Sequence, residues 1–167
     1  ISLFGGNKTA FTISYNSSKL VSGSIGTGWY HNFERHLQVW ENTAYIYDSP
    51  SVYSVYEKTT ENTYSCTTKS KENYILTLLS NGSYELDCNK NGKMYFSNYG
   101  KLTAIEDKQG FKTTLTYTDN TIVINDAING SITLNLTNGL ITSVTDGIRT
   151  AELNYSNGYL VSIKDVN

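Results

Sequence analysis

Apolar and polar positions alternate along much of this chain. Ile132, Leu134 and Leu136 are separated by Thr133 and Asn135, the period-two pattern of a strand with one buried face. Two further runs, 74–79 and 84–88, flank Ser80-Asn81-Gly82-Ser83. That arrangement predicts a hairpin with a type I′ turn at Asn81-Gly82. Strands are also expected at 10–15, along a long aromatic run at 29–40, and at 43–47, 52–58 and 63–68. Turn residues separate them at Asn16-Ser17-Ser18, at Gly23, Gly26 and Gly28, and at Asp48-Ser49-Pro50-Ser51. No window holds a helical period, and no capping box introduces one. The expected fold is all-β: an antiparallel meander of hairpins whose end strands stay open.

The second half repeats itself. Gly100, Leu102, Ala104, Ile105 and Asp107 are matched by Gly139, Ile141, Ser143, Val144 and Asp146, then by Gly158, Leu160, Ser162, Ile163 and Asp165. With Asp126, the four aspartates are spaced by 19, 20 and 19 residues. Tyr117, Leu136 and Tyr155 recur at 19-residue steps. Around Asp126 the copy is imperfect, with Asp119 in place of glycine and Thr121 in place of the aliphatic residue. A fixed period marks a structural unit that stacks on its own copies. Leu102 and Ile105 lie an odd number of residues apart, so a flat strand would send them to opposite faces. Either a bulge intervenes or both faces are covered. The expected organisation is one all-β unit over 1–167, with a pre-repeat segment at 1–90 and about three and a half repeats at 91–167. The chain opens inside strand material and closes just after Asp165, and is expected to be a segment of a longer protein.

Composition agrees with strands and turns. Fourteen tyrosines and one proline suit a pleated surface whose turns rely on Gly, Asn and Asp. The net charge is −2 and the charges are scattered, so the basic stripe that nucleic-acid binding requires is missing. No apolar run reaches membrane-spanning length. Cys66 and Cys88 read equally as a disulfide closing a loop, stabilising by about 3 kcal/mol, or as two core thiols. Six Asn-x-Ser/Thr sequons begin at Asn7, Asn16, Asn81, Asn129, Asn135 and Asn154. In a chain this rich in those residues they are expected by chance.

Few residues suggest chemistry. His31, Glu34 and His36 form the one cluster resembling a metal or acid–base site. On a continuous strand, however, His31 and His36 point to opposite faces, and a metal needs converging ligands. Evenly repeated aspartates at hairpin corners suggest turn capping by backbone N–H groups, with calcium ligation as the other reading. Trp29, Trp40 and the tyrosines read either as a sugar-stacking platform or as packed cross-strand pairs. Nucleotide, phosphate and nucleophile-elbow fingerprints are absent, so no enzyme activity, metal or cofactor is expected.

The phrase Gly-x-Leu-x-x-Ile-x-Asp, followed by a turn and a strand ending in tyrosine, resembles the YD-repeat or Rhs-repeat family. Residues 100–117 match it closely, and 139–155 and 158–165 match well. Tyr15-Asn16-Ser17, Gly26-Thr27-Gly28-Trp29, His31-Asn32-Phe33 and Leu37 resemble the segment that precedes these repeats in bacterial Rhs and wall-associated proteins, although Ile13-Ser14 stand where that segment has an arginine. Residues 41–90 match only in general pattern. The resemblance implies a secreted or surface-displayed bacterial protein of polymorphic-toxin type, whose repeats form a ribbon coiled into a shell around a toxic C-terminal domain. It implies a structural role, with further repeats and that domain as partners. The alternatives are a surface adhesin or carbohydrate-binding module, with glycans or a second copy as partners, and, well behind, a metal-dependent hydrolase.

Overall fold

The computed structural model describes residues 2–5, 10–18 and 20–165; the Asn7 sequon lies outside them. Alternation becomes strand throughout. In chain order the strands are β1 (Ser2–Gly5), β2 (Ala10–Tyr15), β3 (Ser22–Gly23), β4 (Gly26–Thr27), β5 (Trp29–His31), β6 (His36–Trp40), β7 (Thr43–Ser49), β8 (Val52–Lys58), β9 (Thr63–Cys66) and β10 (Ile75–Leu78). There follow β11 (Tyr84–Asp87), β12 (Lys93–Phe96), β13 (Leu102–Glu106), β14 (Lys112–Tyr117), β15 (Thr121–Asp126), β16 (Gly130–Thr137), β17 (Leu140–Thr145), β18 (Thr150–Ser156) and β19 (Tyr159–Asp165). Among the described residues helix is limited to two single 3-10 turns, Lys69–Lys71 and Asn89–Asn91. Among the described residues no helix is long and apolar enough to cross a membrane.

Strands β6 to β19 form one antiparallel meander in sequence order that does not close on itself. A three-stranded sheet, β1-β2-β5, and the short β3-β4 hairpin make up the rest. The chain divides into two compact units, residues 1–34 with 114–167, and residues 35–113. These units cut the chain at other places than the pre-repeat and repeat halves.

In the unit formed by 1–34 and 114–167, the inward positions of the repeat strands build the core: Ile124, Leu134, Ile141, Val144 and Leu153 are buried. From the N-terminal segment come Phe11, Ile13 and Ile25, each fully buried. Ile25 sits at the tip of the β3-β4 hairpin, so a two-residue turn carries an apolar side chain into the core. Burying one such side chain is worth about 2 kcal/mol, which offsets the strain of a tight glycine-rich turn.

In the unit formed by 35–113, β7 shows the expected in-out pattern, with Ala44 and Ile46 buried. Its outer face carries an aromatic ladder. The His36 ring stacks on Tyr47 at 4.6 Å, Tyr53 lies 5.4 Å from Tyr47, and Tyr45 meets Tyr53 edge-on at 5.9 Å. Cross-strand aromatic pairs of this kind stabilise a sheet by about 0.5 kcal/mol each. The end strand β6 meets the turn between β12 and β13. Leu37 N–H donates to Gly100 O at 2.8 Å, and His36 bridges Lys101.

Two local expectations change, and one open alternative is resolved. The aromatic run at 29–40 is two strands, because Asn32 turns the chain: its Oδ1 accepts from Thr12 N–H at 3.0 Å and its Nδ2 donates to Ala10 O at 2.8 Å. Asn81-Gly82 is not a type I′ turn, since only Gly82 has positive φ (82°). The I′ signature, positive φ at both central residues, occurs at Asn138-Gly139 (51° and 80°) and Asn157-Gly158 (51° and 79°). Finally, Leu102 and Ile105 share a face because of a bulge. Phe96 pairs with Leu102 and Tyr95 with Ala104, leaving Thr103 as the extra residue. The same shift recurs at Thr142 and at Val161.

Candidate functional site

The residues that stand out in the pre-repeat motif form a hook. Tyr15 pairs with Trp29 across β2 and β5, and their rings lie 5.2 Å apart. Asn16 N–H donates to Gly28 O, and Gly28 N–H donates to Val21 O, both at 2.9 Å. The Asn16 side chain accepts from the backbone N–H and hydroxyl of Ser18, with Ser17 exposed between them. These bonds fold residues 16–28 back on themselves. Gly28 has φ of 79°, and a Cβ there would come within 2.6 Å of the Tyr15 ring.

The hook is fastened to the repeats by backbone. Thr27 N–H donates to Gly158 O at 3.0 Å, and Ile141 N–H donates to Ser24 O at 2.7 Å. Tyr155 O–H donates to Ile141 O at 2.6 Å. Gly26 has φ of 87°, and a Cβ there would lie 2.6 Å from Gly158 O. The position therefore demands glycine twice over, for its left-handed backbone and for its close approach. Gly100 makes the parallel contact in the other unit, where a Cβ would lie 1.9 Å from Leu37 O. Two of the repeat glycines, Gly100 and Gly158, thus receive a pre-repeat strand. The third, Gly139, has open space around it and serves its turn alone.

Inside the hook lies a half-buried polar cluster around the buried His31. Glu34 Oε1 accepts from Ser24 N–H at 2.8 Å and from its hydroxyl at 2.9 Å, and Glu34 Oε2 accepts from His31 N–H at 3.3 Å. His31 is 3% exposed and packs 5.2 Å from the Phe11 ring. Its Nδ1 accepts from Phe33 N–H, which leaves the ring proton of the neutral imidazole on Nε2. Burial pushes His31 down to about 4, with the Glu34 charge opposing. In the other unit, His36 stacks on Tyr47. No three His, Cys, Asp or Glu side chains gather round a metal-sized space among the described residues. Cys66 and Cys88 are buried free thiols. Burial pushes Cys88 up to about 11, which makes it a poor nucleophile at neutral pH.

At the aspartate corners the side chains close turns. Asp107 Oδ1 accepts from Gln109 N–H at 2.9 Å and Phe111 N–H at 3.0 Å. Asp126 Oδ1 accepts from Ile128 and Asn129, both at 2.8 Å. Asp146 Oδ1 accepts from Ile148 at 3.0 Å and Arg149 at 2.7 Å, while its Oδ2 binds the Arg149 guanidinium. The Arg149 backbone and side-chain hydrogen bonds hold Asp146 down to about 2. Asp165 ends β19 on the exposed surface. Asp87, outside the repeat phrase, caps the same way by accepting from Asn89 N–H at 2.7 Å.

Sequence reasoning noticed Gly26 and Gly28 but passed over Ser24 and Ile25 between the glycines. A lone aliphatic residue inside a glycine cluster was the available signal for the buried tip. Residues 1–55 match a family described as a domain of unknown function, DUF6531. The match contains the whole hook and ends within β8. No curated protein matches the chain.

Proposed function

We propose that this chain is a non-enzymatic wall segment of an Rhs- or YD-repeat shell, in which residues 10–34 lock onto the later repeats of the ribbon. The carrying observation is the hook itself: Thr27 N–H on Gly158 O, with Gly26 too close to that carbonyl to bear a side chain. Two further features support the reading. Bulged strands recur at Thr103, Thr142 and Val161, so the wall bends by the same device in the three copies that carry the full repeat phrase. The most conspicuous polar groups, His31, Glu34 and the aspartates Asp107, Asp126 and Asp146, are engaged in holding backbone, which supports a structural reading. The mechanism is steric: hairpins add edge to edge, and the wall keeps solvent and proteases from the domain it encloses or presents. Secretion or surface display, and a toxin or other effector as cargo, belong to the same proposal.

The test is limited proteolysis of this segment expressed together with the sequence that follows it in its gene. The downstream domain should be protected, and Gly26→Val should raise its cleavage rate at least about tenfold by opening the hook. Equal cleavage of the downstream domain with and without residues 1–167 would overturn the proposal.

A further inference from the structure

Where β6 runs past the β12-β13 turn, the surface opens into a groove of about 570 Å³ lined by Gln38, Val39, Trp40, Tyr84, Asn98 and Tyr99. Two observations set it apart. Trp40 is 74% exposed and Tyr99 is 87% exposed, so two large rings that folding normally shelters are held at the rim. And although 17% of the chain is charged, no charged side chain lines the groove. Its polar groups are the neutral amides of Gln38 and Asn98 and the Tyr84 and Tyr99 hydroxyls.

We propose that this groove is a binding site for a neutral oligosaccharide. The apolar C–H face of a pyranose stacks on an aromatic ring, a rigid surface that loses little entropy on binding. Amides then donate to and accept from ring hydroxyls, and the lack of charge disfavours acidic sugars. Backbone joins in. Leu37 N–H points away from β7, toward Gly100 O. By strand parity the N–H and C=O of Val39 point the same way, toward the groove. An extended peptide fits the site less well. Strand addition needs a row of outward backbone groups, and on β6 the Leu37 N–H is already taken by the turn, which leaves Val39 alone before the strand ends at Trp40. The shell proposal does not require this site, and the site does not require the shell.

The 167-residue chain is titrated with neutral gluco-, manno- and N-acetylglucosamine oligosaccharides, followed by calorimetry and tryptophan emission. At least one should bind with Kd of about 1 mM or tighter. Trp40→Ala and Tyr99→Ala should each weaken it at least about tenfold, the usual effect of removing a stacking ring. Because both side chains are exposed, thermal unfolding should be unchanged, so loss of binding cannot be mistaken for loss of fold. Trp29→Phe should keep the affinity. The proposal fails if no neutral saccharide binds at that concentration, or if binding survives in both rim variants. It also fails if an extended peptide or an anionic saccharide binds better than every neutral one.

Discussion

At the scale of single residues, the polar side chains of this protein act on backbone. Asp146 shows the pattern: two N–H groups converge on Oδ1 and the Arg149 guanidinium on Oδ2. Asp146→Ala should destabilise by about 1 kcal/mol, measured by urea unfolding; no change would remove the capping role. His31 sets a pH limit. Its pKa falls from 6.5 in the unfolded chain to about 4 in the fold. Between those values the unfolded state binds more protons, so stability drops as pH falls through that window. It is fully present above 6.5 and flattens below about 4. Melting temperature followed from pH 7 to 4 should decline in the wild type, and His31→Gln should remove most of that slope. An unchanged slope would mean that carboxylates carry the effect.

At the scale of elements, the fold class was legible in alternation, and the repeat in its aspartates. The bulge was legible only as a contradiction, the odd spacing of Leu102 and Ile105. Its stitch was not legible. Thr103 Oγ1 donates to Tyr95 O at 3.1 Å and Thr142 Oγ1 to Asn135 O at 3.3 Å, across the bulge. The third copy has Val161 there and lacks the hydroxyl. Thr142→Val should therefore cost about 0.5–1 kcal/mol while keeping the register, and Val161→Thr should recover a similar amount, both read by chemical denaturation. Turn type escaped the sequence because an Asn-Gly pair becomes I′ only when exactly two residues join the strands. That holds at 138–139 and 157–158, whereas Asn81-Gly82 lies in a longer loop. The break at Asn32 escaped because its partners, Ala10 and Thr12, lie about twenty residues upstream. Among the glycines, environment decides the cost of a side chain. Gly110 has φ of 87° with nothing near its Cβ position, whereas Gly26 has the same φ and a carbonyl at 2.6 Å. Gly110→Ala should cost about 1 kcal/mol from backbone strain alone, and Gly26→Ala at least about twice that. Equal costs would show that the hook yields without loss.

At the scale of the whole molecule, the two ends of the long sheet are treated differently. The β6 end is met by a turn through the Leu37–Gly100 bond. At the β19 end, β4 approaches the start of the strand through Thr27 and Gly158, and Val161 is 61% exposed on the last strand of the order. The last strand of a sheet presents unpaired backbone groups, a template for another strand. A second copy of the chain is the partner that such an edge admits. A net charge of −2 is too small to prevent that contact by repulsion. Sedimentation velocity over a range of concentrations should show reversible self-association, and Val161→Lys should abolish it, because a charged residue on an edge strand blocks strand addition. Self-association that persists in Val161→Lys would place the contact elsewhere. A chain that stays monomeric at all concentrations would mean that the exposed β19 edge is no template for a second copy.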